Sequence, residues 1–388
     1  MANDINTGHM KKEIDEVFII YGNQPDEMAF RLLEESCGLT GFKQDDRVFI
    51  KPNLVVSRKN WAGADTDPRV VEALVKALVE RGVRRITVGD GSGMGQSATR
   101  AFEYCDYKDM ASRYGIKLLD IEKDDFVRVQ VKAEGPFREL EIARAIVETD
   151  RFINVPIMKA HSQTLITCSL KNLKGVMPRS MKTRFHSVDL EKAIAQLNSV
   201  LKPDLILVDG LRADLRSELG GDPVVMDRML LGTNPVAVDS VVAEMLGYAP
   251  RDIQHIALAA DAGLGSCDPE NIRLRHLNRP VEEKHFALLP HYSERFPCKV
   301  IAEGACCTCT GNLVFALERL NRQGLLSKRI CILAGQLSKL PDEKGVFTVA
   351  VGSCVSKLIG VDCHINECPP GAGRIYQAIA KALRGAGT

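Results

Sequence analysis

The stretch Arg47-Val-Phe-Ile-Lys51-Pro52-Asn53 is a short apolar run that ends in polar residues and a proline. Such a run, rich in β-branched and aromatic residues and closed by a turn signal, predicts a buried strand. A helix is predicted from Asp67-Pro68 to about Gly82, because aspartate caps helix N-termini and proline fits the first turn. Residues 85–89 form the next apolar run, which leads into Asp90-Gly91-Ser92-Gly93. The succession of strand, helix and strand predicts a parallel α/β sheet.

The same alternation extends along most of the chain. Residues 126–131 interrupt it as an irregular or antiparallel section. The fold class predicted for residues 16–266 is therefore α/β, with a mostly parallel sheet flanked by helices. The other strands are predicted at 17–21, 116–121, 151–155 and 204–210, and one more strand contains residues 229–232 and ends before Pro235. The other helices are predicted at 26–37, 99–114, 188–200, 235–244 and 253–262.

A proline-rich stretch separates a second unit from the first. Residues 267–297 contain four prolines and are predicted to be a linker. The α/β alternation resumes over residues 298–388, a length compact enough for a small flavodoxin-like α/β domain. Its strands are predicted at 329–333 and 346–351, and its helices at 313–320 and 375–383.

Composition limits the class of protein. The 388 residues carry a formal net charge of +1, so nothing favours a nucleic-acid or acidic-membrane partner. Twelve cysteines without a secretory signal predict thiols or metal ligands in a cytoplasmic protein rather than disulfides. No apolar run is long enough to span a membrane. Residues 1–15 are predicted to be a tag or disordered, since Gly8-His9-Met10 resembles a cloning scar and Met10 could be the native start.

Polar residues follow two strands at the edge where parallel α/β sheets bind ligands. Lys51 and Asn53 follow one strand, and Asp90 and Ser92 follow the other. The carboxyl ends of parallel strands share an edge, so these four residues are expected to line one pocket, with the glycines allowing backbone N–H groups near an anion. An ordinary turn is the alternative for Asp90–Gly93, and no complete nucleotide-binding fingerprint is present.

A basic segment follows the strand at 151–155. Five lysines, two arginines and two histidines lie between residues 159 and 192. Such a cluster after a strand end predicts an anion site, with a solvated loop or helix as the alternative. His161 is the candidate acid or base, since no second metal ligand follows at helical spacing. The further candidates are Lys159 and Lys171 for catalysis and Asn172, Lys174 and Arg179 for binding.

Four cysteines in glycine- and proline-flanked loops predict a metal centre in the second unit. Cys306 and Cys309 form a C-x-x-C pair, Cys354 follows Gly352-Ser353, and Cys368 precedes Pro369-Pro370. Two thiolates from one loop and one from each of two others suit a [4Fe–4S] cluster. A structural zinc ion and ordinary buried cysteines are the alternatives. Cys331, inside an apolar run, is predicted to be core, and Cys307 and Cys363 leave the ligand set open.

These cysteine motifs resemble those of a known class of proteins. The order C-x-x-C, G-x-C and C-P-P is similar to that of the [NiFe]-hydrogenase small subunit and the related subunit of NADH:quinone oxidoreductase. The resemblance implies ligands on loops at the carboxyl ends of a small flavodoxin-like sheet. This sequence departs from the pattern at Glu367, where a glycine usually precedes the cysteine.

Several polar motifs occur in order along the first unit: Lys51-Pro52-Asn53, Asp90-Gly91-Ser92, Asn154-Val-Pro156 with Lys159 and His161, Leu170-Lys171-Asn172 with Gly175, and Thr233-Asn234-Pro235 with Asp239. Together they resemble the family called domain of unknown function 362, whose members are often joined to iron–sulfur domains. The resemblance covers roughly residues 45–265 and implies little chemistry. A weaker resemblance links His161, Lys171 and His186 to the spacing of a His, a cofactor-bearing Lys and a later His in lactate racemase, without the glycine-rich surroundings of that motif.

The combined prediction is an anaerobic oxidoreductase that moves electrons through a [4Fe–4S] cluster to or from an anionic small-molecule substrate or second cofactor at the interface of the two units. Flavin is a candidate second cofactor without a fingerprint of its own. A non-redox, racemase-like enzyme with a structural cluster and a non-enzymatic electron carrier are the alternatives. The expected partners are a small-molecule substrate or a redox partner protein, and a homodimer stays open.

Overall fold

The computed structural model describes residues 14–55, 63–93, 97–161, 163–186, 188–216, 218, 220, 223–282, 286, 294–302, 305, 307–340, 345–368 and 370–385, with backbone only at 186, 307 and 308. The main sheet has eight strands in the order β12-β1-β11-β10-β7-β2-β3-β4. The strands of the first unit are β1 (Asp15–Tyr21), β2 (Arg47–Pro52), β3 (Arg85–Asp90), β4 (Lys117–Asp120), β5 (Phe126–Gln130), β6 (Glu139–Ala143), β7 (Arg151–Val155), β8 (Lys159–His161), β9 (Leu165–Thr167), β10 (Leu205–Asp214), β11 (Pro223–Gly232) and β12 (Ile272–His276).

Helices cover both faces of this sheet. Strand β2 shows the pattern, because Val48 and Ile50 lie in one core and Phe49 lies in the other. This alternation is the two-residue period of a strand buried on both faces. The helices of the first unit are α1 (Pro25–Glu35), α2 (Pro68–Glu80), α3 (Ala98–Tyr104), α4 (Tyr107–Tyr114), α5 (Arg144–Val147), α6 (Ser169–Asn172), α7 (Arg179–His186), α8 (Leu190–Asn198), α9 (Pro235–Met245) and α10 (Gln254–Asp261).

The predicted α/β class with a mostly parallel sheet is confirmed. Of the described strands in the main sheet, β11 pairs antiparallel with both neighbours, and the other pairings are parallel. The section predicted to be antiparallel is the separate β5–β6 pair. Asp67 accepts a hydrogen bond from the backbone N–H of Arg69 and caps α2 as predicted.

Two local predictions differ from the structure. The single helix predicted over residues 99–114 is two helices, because Asp106 has a left-handed backbone with φ of 59°. Part of the predicted linker is β12, which pairs with β1 at the edge of the main sheet. The alternating apolar residues of Ile272-Arg-Leu-Arg-His276 are its sequence signal, and the nearby prolines obscured it.

The second unit has a four-stranded parallel sheet in the order β13-β14-β15-β16. The strand order differs from the flavodoxin-like order that was predicted for this unit. A flavodoxin sheet has the order 2-1-3-4-5, whereas the strands here lie side by side in the order of the sequence. Residues 335–340 and 345–346, the described part of the β14–β15 connection, contain no helix that would carry the chain back across the sheet. The elements are β13 (Lys299–Ile301), α11 (Cys307–Arg322), β14 (Ile330–Ala334), β15 (Phe347–Val351), β16 (Cys363–Ile365) and α12 (Ala372–Gly385).

The described helices include none that is long and apolar enough to cross a membrane.

Candidate functional site

A cleft of about 660 Å³ lies at the carboxyl ends of β2 and β3. Lysines, asparagines and the Asp90–Gly93 loop form its first-unit wall, and α11 and α12 contribute Gly311, Asn312, Phe315 and Ala372 from the second unit. Nine of the predicted first-unit residues line it: Lys51, Asn53, Asp90, Ser92, Lys159, His161, Lys171, Asn172 and Lys174. The polar residues predicted to meet at the sheet edge therefore lie together.

A buried ion pair forms the floor of this cleft. Lys51 Nζ lies 2.7 Å from Asp90 Oδ1, and both side chains are at most 4% exposed. Burial lowers the pKa of Lys51 and raises the pKa of Asp90, while the attraction between them opposes both shifts. Lys51 Nζ also donates to Pro52 O and to Asn172 Oδ1, each at 3.1 Å. The three ammonium protons thus have three acceptors, which fixes this lysine in place.

Three asparagine side chains form a hydrogen-bonded chain beside the ion pair. Asn154 Nδ2 donates to Ser169 O at 3.0 Å. Asn172 Nδ2 donates to Asn154 Oδ1 at 2.7 Å, and Asn53 Nδ2 donates to Asn172 Oδ1 at 2.8 Å. We refer to Lys51, Asp90 and these three asparagines as the cleft floor. It joins β2, β3, β7 and α6 through buried polar groups.

Gly175 makes the close packing of the cleft floor possible. A Cβ atom at this position would lie 2.2 Å from Asp90 Oδ1 and 2.7 Å from Lys51 Nζ. Its carbonyl accepts from Gly91 N at 3.0 Å, so the backbone after α6 crosses directly over the Asp90 loop. A side chain at this position would force the ends of the Asp90 and Lys51 side chains to move.

Asp239 holds the short helix α6, which carries Lys171 and Asn172. Its carboxylate accepts from Ser169 N at 2.7 Å and from Leu170 N at 3.0 Å. Burial raises the pKa of Asp239 to about 6. The carboxylate therefore acts as an N-terminal cap for α6.

Lys159 and His161 lie on β8 at the side of the cleft. Lys159 Nζ donates to the backbone oxygens of Ala64 and Glu218, the latter at 2.8 Å. Its side chain is fully buried, and burial lowers its pKa to about 8. His161 Nδ1 accepts from Gln163 N at 3.1 Å and from Thr164 N at 3.3 Å. The neutral imidazole therefore carries its proton on Nε2.

Lys171 and Lys174 are the half-buried cations of the cleft. Lys171 Nζ donates to Thr167 Oγ1 at 3.2 Å. Burial, then the neighbouring positive charges of Lys174 and Lys159, lower the pKa of Lys171 well below its ordinary value. A bound anion would offset both effects, so this position suits a carboxylate or phosphate.

Arg179 differs from the other predicted residues. It is exposed on α7 and is absent from the described lining of the cleft. Its backbone N–H donates to Glu122 Oε2 at 3.0 Å. Lys182, one turn later, reaches the cleft instead, because its Nζ donates to Ser92 O at 3.2 Å and to Glu122 Oε1.

Three of the predicted cysteine ligands are described: Cys309 lies in helix α11, which follows β13, and Cys354 and Cys368 follow the carboxyl ends of β15 and β16. Cys309, in the first turn of α11, is 4% exposed, and a Cβ atom at Gly352 would lie 3.7 Å from its Sγ. Cys354 and Cys368 are exposed. Their loops are joined, because Ser353 N donates to Glu367 O at 3.0 Å.

The remaining cysteine predictions fall partly outside this geometry. Cys306 and the side chain of Cys307 lie outside the described residues. Within the described residues, no group of three or more His, Cys, Asp or Glu side chains is close enough to hold a metal ion. Cys331 is fully buried on β14, which confirms its prediction as core, and Cys363 is half-buried on β16.

The first unit matches a known protein family. The family model of the domain of unknown function DUF362 matches residues 48–244, half of the chain. The chain belongs to this family. The DUF362 region contains every first-unit residue of the predicted site, including the whole cleft floor.

One curated relative and two solved structures are similar to the chain. The thylakoid-associated protein sll1697 of Synechocystis is 27% identical over 241 residues, which are 60% of this chain and 73% of that protein. The lactate racemase apoprotein of Thermoanaerobacterium thermosaccharolyticum has a TM-score of 0.33 at 12% identity and covers 49% of this chain, which spans half of it. A Thermotoga maritima protein has a TM-score of 0.39 at 12% identity and covers 62% of this chain, which spans 60% of it.

Helix α11 contributes residues that sequence reasoning did not include in the site. Asn312 and Phe315 lie outside the DUF362 region but line the cleft. Asn312 Nδ2 donates to Pro370 O at 2.9 Å and so ties α11 to the loop that carries Cys368. The only available signal was the spacing of Asn312, three residues after Cys309, which puts the two on neighbouring positions of one helix face.

Proposed function

We propose that this chain is an iron–sulfur oxidoreductase that binds an anionic small molecule in the cleft between its two units. The observation that carries the proposal is that helix α11 belongs both to the candidate cysteine site and to the wall of the cleft. It has Cys309 in its first turn and contributes Gly311, Asn312 and Phe315 to the cleft wall. Three residues of helix cover about 4.5 Å along its axis, so a group held by Cys309 would lie close to a ligand in the cleft.

The donor set supports a [4Fe–4S] cluster held by Cys306, Cys309, Cys354 and Cys368. Thiolates from three loops suit this cluster. Two contacts agree with a shared site: Cys309 lies close to Gly352, and the loops of Cys354 and Cys368 are hydrogen-bonded to each other. When bound, the cluster would supply or take single electrons. Zinc, the alternative ion for four thiolates, would supply none.

The residues of the cleft would bind and orient the ligand. Lys171 and Lys174 would hold its anionic group, and His161, which lines the cleft, would exchange a proton with it. Lys159, whose ammonium is bonded to two carbonyls, would position β8 rather than react. Phe315 is 47% exposed at the cleft and would shield the ligand from water. The cleft volume also falls in the range of a bound cofactor such as a flavin.

The first experiment measures iron, acid-labile sulfide and zinc in protein purified without oxygen, with an absorption spectrum. We expect about four irons and four sulfides per chain and a visible band that dithionite bleaches. Cys309→Ser and Cys368→Ser should each lose this iron, while Cys37→Ser, an exposed cysteine of the first unit, should keep it. Zinc in place of iron would contradict the redox proposal, and a yellow chromophore released by denaturation would identify a flavin.

A second experiment tests the anion site. Binding of inorganic phosphate and of small carboxylates would be measured by titration calorimetry between pH 7 and 10. Affinity should fall as pH rises, because Lys171 has a lowered pKa and loses its charge early. Lys171→Ala and Lys174→Ala should weaken binding at least about tenfold, while Lys108→Ala, an exposed lysine paired with Glu103, should not. Equal affinity in all four proteins would contradict the site.

Reduction separates the redox proposal from its alternative. In an oxidoreductase, dithionite should change the affinity for the anion or the spectrum of the protein when the anion is added. A non-redox enzyme with a structural cluster should bind equally well in both states.

A further inference from the structure

Apart from Asp90 Oδ1, which is ion-paired with Lys51, the cleft contains two buried polar atoms that, within the described part of the chain, have no hydrogen-bond partner: Asn53 Oδ1 and Ser92 Oγ. Both residues are at most 5% exposed and both line the cleft. Buried polar atoms in native proteins are nearly always hydrogen-bonded, so each such atom at a cleft indicates a group that is bound there. This step rests on the proposed function, in which the cleft binds a ligand.

The donor-to-acceptor order along the three asparagine side chains fixes the orientation of the Asn53 amide. Ser169 O can only accept, so Asn154 must present Nδ2 to it and Oδ1 to Asn172. Asn172 then presents Oδ1 to Asn53, an orientation that the ammonium group of Lys51 also requires. Among the described residues, none then donates to Asn53 Oδ1. The protein therefore offers a buried acceptor at this point, and only a donor satisfies it.

Ser92 lies in a loop that hydrogen bonds tie to the loop of Asn53. Leu54 N donates to Asp90 Oδ2 at 2.7 Å, and Gly93 N donates to Val55 O at 3.2 Å. Both bonds come directly after Asn53 in the β2 loop, and they lie on either side of Ser92 in the β3 loop. A hydroxyl can donate or accept, so Ser92 Oγ can bind the same ligand group from a second direction.

We infer that the ligand of the cleft is an anion that also carries a hydroxyl or amine group, which donates to Asn53 Oδ1 and contacts Ser92 Oγ. Lys171 and Lys174 hold the anionic group of this ligand, and Asn53 and Ser92 select for its donor. Hydroxy- or amino-substituted carboxylates and phosphates share this chemistry. An analogue without the donor leaves the buried oxygen unpaired, and such sites reject analogues strongly.

Matched pairs of anions test this selection by titration calorimetry on the full chain at pH 7.5. The pairs are glycolate and acetate, malate and succinate, and glycerol 3-phosphate and propyl phosphate. At least one donor-bearing member should bind about tenfold or more tightly than its partner. Equal affinity within every pair that binds would overturn the inference and leave the anion site standing. No binding by any member would overturn both.

Two variants test which residues cause the preference for the donor-bearing anion. Ser92→Ala and Asn53→Leu should each reduce it several-fold, because each removes a partner of the ligand's donor. Asn53→Leu also removes the hydrogen bond from Asn53 Nδ2 to Asn172 Oδ1. Ser112→Ala, an exposed serine on α4, is the matched control and should keep the preference. Circular dichroism checks that Asn53→Leu folds, and Ser92→Ala keeps the test valid if it does not. A preference that survives in Ser92→Ala and in folded Asn53→Leu would overturn the assignment.

Discussion

The cleft floor and the cysteine loops differ in how far the protein itself satisfies their polar groups. In the cleft floor, Lys51, Asp90, Asn154 and Asn172 are buried and bonded to one another. On the cysteine loops, Cys354 and Cys368 are exposed. The floor is a rigid element of the fold, so its substitution should change the stability of the chain. Substitutions in the cysteine loops should leave the stability of the chain almost unchanged and should change what the loops bind.

Breaking the ion pair should have the largest effect on stability. Lys51→Met leaves the carboxylate of Asp90 buried without its cation, at a cost of about 3–5 kcal/mol in unfolding free energy. Urea denaturation measures it. The double variant Lys51→Met with Asp90→Asn should recover part of the loss, since it removes both charges. Additive losses would mean that the two groups are not coupled.

The pH dependence of Lys159 should be the next largest effect. Its folded pKa of about 8 lies below the ordinary value of 10.5, so the unfolded chain binds more protons between these values. Unfolding free energy should therefore rise with pH from about 8 to 10.5, by about 3 kcal/mol from this residue. In Lys159→Met this rise should be missing. The difference between the two proteins from pH 7 to 10.5 isolates it, and parallel curves would rule out the shift.

Gly175→Ala should cost less, about 2 kcal/mol, because the added methyl group forces the ends of two side chains to move. Gly373→Ala is the matched control, since a Cβ atom there has no neighbour within 4 Å. Urea denaturation of both variants compares the cleft floor with a helix surface. Equal midpoints would indicate that the floor can rearrange.

Cys354→Ser should have the smallest effect on the fold, less than about 0.5 kcal/mol in protein prepared without metal, because the side chain is exposed. The same substitution should lower the iron content of anaerobic protein. A large loss of stability in the metal-free state would show that the loops resemble the cleft floor after all.

Sequence reasoning found the residues of the cleft better than their roles. The strands before Lys51 and Asp90 have clear local signals, and parallel strands bring their ends together, so the pocket followed. The role of Lys159 did not follow, because its carbonyl partners at Ala64 and Glu218 are 95 and 59 residues away in sequence. The asparagine chain and the contribution of Phe315 depend on similarly distant contacts, which no local pattern encodes.

Strand β12 decides where the first unit ends. It covers β1, and the contact continues past the strand, because Asn278 donates to Tyr21 O and accepts from Tyr21 N. A fragment cut at residue 266, where the prolines begin, would leave one side of β1 with unpaired backbone groups. Such an edge is a template for association with another chain. Any separate preparation of the DUF362 region should therefore extend beyond Asn278.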